Sequence, residues 1–175
     1  MRIITDSSSD LTPELIERFK VDLVIPMKIS IDGKEYLDKV DIQDEPFYHE
    51  ILPACQSLPK TSQVTANEFC EIFSRYPDEE LVVLPISSGL SGSYQSARIA
   101  AMELQEQYPD KQIVVVDSLA ASLGQGLLVH FAVQMRSAGQ SFQQTVDWCM
   151  ENRLHVVHLF TVDDPNHLRR GGRVS

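Results

Sequence analysis

Leu81-Val82-Val83-Leu84-Pro85-Ile86-Ser87-Ser88-Gly89-Leu90-Ser91-Gly92-Ser93-Tyr94 is the stretch that decides the fold. Its first six residues form a nearly continuous apolar run, the pattern of a strand covered on both faces. The glycine- and serine-rich segment that follows reads as a tight loop. A helix then runs from about Ser93 to Gln107. Glycines at such a junction let the backbone approach a ligand, and the free N–H groups of the helix favour an anion.

The same alternation extends in both directions. Gln112-Ile113-Val114-Val115-Val116 repeats the strand pattern, ends in Asp117-Ser118, and predicts a helix from about Ser122 to Arg136. Ser141-Phe142-Gln143-Gln144 is a capping box that opens another helix. His155 to Thr161 reads as a last strand, with a short helix after it that stops at Gly171-Gly172. Towards the N-terminus, Arg2 to Thr5 reads as a strand. Thr12-Pro13-Glu14 starts a helix, with Thr12 as cap and Pro13 in its first turn. Val21 to Ile31 reads as one extended stretch, turned back by Asp32-Gly33 towards Glu35-Tyr36. Asp44 caps a short helix through about Leu52, and the capping box Thr65-Ala66-Asn67-Glu68 starts one that runs to about Arg75.

Strands alternating with helices predict an α/β fold, a mostly parallel sheet with helices on both faces. In such sheets ligands bind outside the carboxyl ends of the strands. The polar loops at residues 6–9, 87–91 and 117–118 fall there.

Composition narrows the function. Hydrophobic residues make up 43% of the chain and charged residues 23%, enough to bury a globular core. A net charge of −10 repels nucleic acid and anionic lipid, so no nucleic-acid partner and at most transient membrane contact are expected. No run is long enough to span a bilayer and no secretory signal opens the chain, which predicts a cytoplasmic protein. Cys55, Cys70 and Cys149 lack metal or redox spacing and read as reduced thiols.

Two enzyme motifs fail at the serine-rich loop. A P-loop needs Gly-Lys-Ser/Thr, and the loop has no lysine; a nucleophile elbow needs glycine where Ser93 stands. Lys60-Thr61-Ser62-Gln63 reads as a loop before a helix, with two hydroxyls and an amide suited to clamping an anion. No metal site is expected. His155 and His158, three apart on a strand, point to opposite faces, and Asp163, Asp164 and His167 suit helix capping. His49 and His130 read as satisfied residues of helices. Asp6 and Asp10, a candidate acid–base pair, suit turn and cap duty at least as well. Leu168-Arg169-Arg170-Gly171-Gly172-Arg173 is either charge complementing a helix C-terminus or a docking patch using Arg170 and Arg173.

Taken in order, several segments resemble the DegV family of fatty-acid-binding proteins. They are Asp6-Ser7-Ser8-Ser9-Asp10-Leu11, Ile25-Pro26, Lys60-Thr61-Ser62-Gln63, Ser87 to Tyr94, Asp117-Ser118 with Ala121-Ser122-x-Gly124-x-Gly126, and Gly171-Gly172-Arg173-Val174-Ser175. The resemblance spans the chain. It implies a non-catalytic carrier that binds one long-chain fatty acid, with no cofactor, and that presents it to a separate fatty acid kinase in bacterial lipid metabolism. It places the carboxylate on Thr61, with Ser62 beside it, and on Ser91, with the Gly92 amide close by. It also implies two domains, here residues 1–160 and the start of a second α/β domain at 161–175 that is cut short. Val64, where proline is usual, and Asp163-Asp164-Pro165 depart from the pattern. The competing reading is an enzyme acting on a small phosphorylated or carboxylated metabolite.

Overall fold

The structure is a computed structural model that describes residues 1–161 together with Arg169 and Gly172. β1 (Arg2–Asp6) organises it. On one side it pairs with β2 (Leu23–Ile25), and on the other with the apolar run Leu81–Leu84, in parallel register from Arg2 opposite Leu81 to Thr5 opposite Leu84. α1 (Pro13–Phe19), capped by Thr12, connects β1 to β2.

After β2 the chain leaves this sheet. The extended stretch predicted over Val21 to Ile31 divides at Pro26-Met27, where proline has no N–H to offer a ladder. β3 (Lys28–Ile31) and β4 (Lys34–Leu37) form a hairpin. Its two turn residues, Asp32 (φ 50°) and Gly33 (φ 81°), are both left-handed, which matches the twist of a two-residue hairpin. A helical stretch follows: α2 (Asp44–Pro46), a π-turn (Phe47–Ile51) and α3 (Leu52–Ala54). β5 (Lys60–Ser62) then pairs antiparallel with β3, completing a second sheet ordered β4-β3-β5. Sequence reading does not separate this sheet from the main one.

The rest follows the predicted alternation. α4 (Ala66–Phe73) opens with a capping box in which Thr65 and Glu68 serve each other. β6 (Leu81–Leu84), α5 (Ser93–Gln107), β7 (Ile113–Val115), α6 (Ser122–Ser137) and α7 (Phe142–Asn152) come next, the last with the Ser141–Gln144 capping box. The main sheet is parallel throughout, in the order β2-β1-β6-β7.

Period-two alternation divides the core into two layers. Ile3, Val82 and Leu84 join Leu128, Val129, Val133 and Phe142 of α6 and α7, with Leu15, Ile16 and Phe19 of α1 packed against them. Ile4, Leu81 and Val83 join Phe69, Phe73, Ala97 and Ala100 of α4 and α5. Both faces of β6 are therefore covered, which is why its sequence is apolar at every position. Each fully buried leucine or valine contributes roughly 1.5–3 kcal/mol.

The strand predicted over His155 to Thr161 does not form. A short 3-10 turn (Arg153–His155) ends α7, and residues 156–161 have no regular structure and pair with no strand among the described residues. A strand-like pattern without a neighbouring ladder leaves the backbone unpaired, and here Leu159 and Phe160 are 95% and 82% exposed. The predicted helix before Gly171-Gly172, the basic patch of Arg170 and Arg173, Asp163, Asp164 and His167, and the expected second domain beyond 161 lie outside the described residues.

Candidate functional site

At the carboxyl end of the sheet, the loop after β6 is held from beneath by two buried carboxylates. Asp6, at the end of β1, is 1% exposed and accepts from Ile86 N–H at 2.9 Å, Ser8 N–H at 3.1 Å and the Gln125 side-chain amide at 3.1 Å. Burial raises its pKa above the ordinary carboxylate value, and these donors oppose the shift. Asp117, after β7, accepts from the Ser88 N–H at 3.0 Å and from the Ser88 hydroxyl. The Ala120 carbonyl takes the Ser87 N–H at 2.9 Å. Asp6 and Asp10 are thus cap and turn residues. Asp10 is left-handed, and its carboxylate receives the Ser122 hydroxyl.

The neighbouring loop carries strain. Leu119 (φ 51°) and Ser122 (φ 54°) adopt left-handed backbones, which cost non-glycine residues about 1–2 kcal/mol each. The Asp117 carboxylate holds the first of them by accepting the Leu119 N–H at 3.2 Å. Gly126 lets α6 pass close to the β1 loop, because a Cβ there would stand 2.8 Å from the Ser9 carbonyl.

Above this base, Gly92 stands at the N-cap of α5, where a capping side chain would ordinarily sit, and offers none of its own. Ser91 Oγ receives the Ser93 N–H at 3.2 Å and lies 3.0 Å from Ser93 Oγ. The result is a helix mouth rimmed by hydroxyls, with no acidic side chain in its first turn.

Thr61 and Ser62, predicted in a loop, lie instead on the edge strand β5. Thr61 pairs with Ile29 and Ser62 with Lys28, and both are exposed. Alternation sends their side chains to opposite faces. Ser62 shares the face of Lys28, whose ammonium is taken by Glu68 at 2.7 Å. The two segments meet through Gln63, which sequence reading treats only as part of the clamp. Its side-chain amide lies against Gly92 and donates to Ser96 Oγ at 3.1 Å. The available signal is an amide directly after the hydroxyl pair.

The other candidates fall away from this mouth. His49 is exposed in the π-turn, and His155 Nδ1 lies 3.2 Å from Asn152 Oδ1. His158 packs over Gly124, where a Cβ would stand 1.8 Å from its ring. His130, expected to be satisfied, sits 4.0 Å from the Phe19 ring centroid, with Nε2 near the Gln134 amide and a buried Nδ1 that has no partner among the described residues. Among the described residues no group of three or more acidic, histidine or cysteine residues is placed to hold a metal. The cysteines are unpaired, and burial pushes the Cys149 thiol up to about 12. A cleft of about 520 Å3 opens at the opposite end of the sheet, but Asp78, Glu79, Glu80 and Asp110 line it and would repel an acid. No helix among the described residues is long and apolar enough to cross a membrane.

Comparison with known proteins adds an independent line. A model described as "Uncharacterised protein, DegV family" matches residues 1–175. A DegV domain-containing protein of Clostridium perfringens is 41% identical over 177 residues, covering 99% of this chain and 60% of the relative. One of Lactococcus lactis is 36% identical, again covering 99% and 60%. The chain therefore spans about 60% of the length of the curated relatives it matches. A solved structure of a DegV family protein from Thermus thermophilus, described by its fatty acid binding, superposes with a TM-score of 0.82 at 32% identity, over 98% of this chain and 60% of that one. A stearic acid-binding protein from Eubacterium ventriosum gives 0.76 at 33% identity, over 85% and 52%.

Proposed function

This chain belongs to the DegV family, and on that premise we propose that it binds a long-chain fatty acid, holding the carboxylate with Thr61, Ser91 and the Gly92 N–H. The observation that carries this reading is the N-terminus of α5, where the N-cap is a glycine with no capping side chain and serine hydroxyls form the rim. A carboxylate beside the Gln63 amide would accept from the Gly92 N–H and meet the positive end of the helix dipole. Thr61 is the favoured hydroxyl of β5, because Ser62 shares the face that Lys28 and Glu68 already occupy.

Each hydrogen bond to the charged head contributes about 1.5–3 kcal/mol, and each buried methylene about 0.8 kcal/mol. The head therefore fixes orientation and chemical class, while the tail sets affinity. Binding rather than catalysis is the proposed activity, and the absence of both a P-loop lysine and a nucleophile elbow supports it. We further propose that the protein carries the acid without a cofactor in the cytoplasm of a bacterium and presents it to a fatty acid kinase, with Arg170 and Arg173 as the docking residues.

Native mass spectrometry of the protein purified from bacteria tests the ligand. A co-purifying mass equal to one long-chain fatty acid, released on denaturation, is the expected result. Purified protein that stays empty when titrated with long-chain acids defeats the proposal.

A further inference from the structure

Gly92 poses a question that its backbone does not answer. Its φ is −72° and its ψ −4°, a conformation that any residue adopts without strain. Glycine is needed there for space. A Cβ would stand 1.8 Å from Gln63 Oε1 and 2.7 Å from its Cδ. The space left by the missing side chain is filled by the Gln63 amide, which crosses from the end of β5 to α5 and donates to Ser96 Oγ at 3.1 Å. Ser96 belongs to the same turn, because its N–H bonds the Gly92 carbonyl at 2.9 Å. One amide therefore spans both halves of the candidate site.

We infer that Gln63 is the positioning residue of the head-group site: it locks the β5 hydroxyl and the α5 N-terminus into one geometry, and Gly92 is glycine to receive it. The inference rests on the carboxylate-binding reading but concerns a residue that touches no ligand in that reading. Three observations fix its form. Gln63 is exposed as a residue, so removing its side chain opens no core cavity. Its neighbour Val64 is 4% exposed and anchors the segment in the core, so the backbone stays in place. The Gly92 contact is with the far end of a flexible side chain, so a methyl group there displaces the amide and leaves the fold intact.

Gln63→Ala and Gly92→Ala should therefore be two ways of making one defect. In a double-mutant cycle, each single change should weaken long-chain fatty-acid binding by about three- to tenfold, the scale of one lost hydrogen bond. The double variant should be no worse than the poorer single one, because residues acting as a unit are not additive. The factor should be the same at every acyl chain length and absent for the methyl ester, which has no carboxylate to position. Thermal stability should not change. A general loosening of the protein would instead affect ester and acid alike. Losses that simply multiply, or a Gln63→Ala variant with wild-type affinity for the acid, overturn the inference.

A second measurement separates this inference from the proposed ligand. In the free protein, residue-resolved hydrogen exchange should show the amides of Gly92 and Ser93 exchanging about three- to tenfold faster in Gln63→Ala. If the wild type binds no fatty acid, the functional proposal falls and exchange alone decides the role of Gln63. Unchanged exchange rules that role out.

Discussion

The loop from Ser87 to Tyr94 and the strand from Lys60 to Ser62 carry the hydroxyls proposed to hold the carboxylate, but they are held in different ways. The loop rests on the buried interior, where the Asp6 and Asp117 carboxylates and the Ala120 carbonyl take the N–H groups of residues 86–88. The strand is exposed at the edge of a small sheet, held by pairing to β3 and by the Gln63 amide at its end. One half is fixed by desolvated charge, the other by backbone pairing at the surface. Substitutions beneath the loop should therefore cost folding stability. Substitutions on the strand should cost binding alone.

The largest effect lies beyond this comparison, in the tail. Leu123, Leu154, Leu159 and Phe160 are 64%, 74%, 95% and 82% exposed, large apolar side chains that the described residues leave largely uncovered. We expect a chain extended to the length of its relatives to bind long acids more tightly. Covering six methylenes would contribute roughly 5 kcal/mol. Calorimetry with acids of increasing length measures the gain per methylene in both chains, and equal gains out to long acids would show the wall to be complete in these residues.

Next comes Asp6→Ala, which strands the Ile86 and Ser8 N–H groups and takes one of three acceptors from the Gln125 amide. Loss of about 3 kcal/mol of stability is expected, and a Tm lower by roughly 6–12 °C. Thr61→Val should leave Tm within about 1 °C, and equal losses would abolish the distinction between loop and strand. The pH dependence has a definite sign. The Asp6 carboxyl titrates above its unfolded value in the fold, so its protonated form is favoured there. The advantage of wild type over Asp6→Asn should therefore be greatest at acid pH and narrow as the pH rises through the folded pKa.

The strand side has its own test. Thr61→Val with Ser91→Ala should weaken fatty-acid binding by a few kcal/mol at most, because tail contacts remain. Ser62→Ala should change it by less than about 0.5 kcal/mol. If Ser62→Ala costs as much as Thr61→Val, the assignment of faces along β5 is wrong.

The smallest effect concerns the frame of β5. Burial opposes ionisation of Glu68, but Lys28 and the Thr65 donors outweigh it and hold the carboxyl at about 2, against an ordinary 4.5. This depressed group stabilises the fold above about pH 4.5, and the contribution is lost as the pH falls towards 2. Because the pair is partly exposed, Glu68→Gln should cost under about 1 kcal/mol at neutral pH. Denaturant titration at pH 7 and pH 3 should show the gap shrinking at the lower value.

Sequence legibility follows the same division. The apolar strands, the Ser93 to Gln107 helix and both capping boxes were readable because local pattern and tertiary burial agree there. The strand predicted at His155 to Thr161 was not, because a strand depends on a partner that local pattern cannot supply. The separate sheet of β3, β4 and β5 escaped for a related reason: Pro26 marks a break, but nothing local says that the chain changes sheets. Within the site, the Ser87 to Tyr94 loop was legible from its glycines. The amide bridge from Gln63 was not, since it joins residues 33 positions apart.

The pairing of β1 with β6 also sets a timetable. Asp6 waits for Ile86, 80 residues later in the chain, which at about 5–20 residues per second is on the order of 4–16 s of ribosomal synthesis. The β3–β4 hairpin needs only its immediate neighbours and is available long before. During that interval the nascent chain holds a carboxylate whose distant donors, the Ile86 N–H and the Gln125 amide, have not yet been made, kept in water rather than buried. The serine loop after β6 waits longer still, because the Asp117 carboxylate and the Ala120 carbonyl also hold it: until those residues leave the ribosome, its serines rest on only part of their floor.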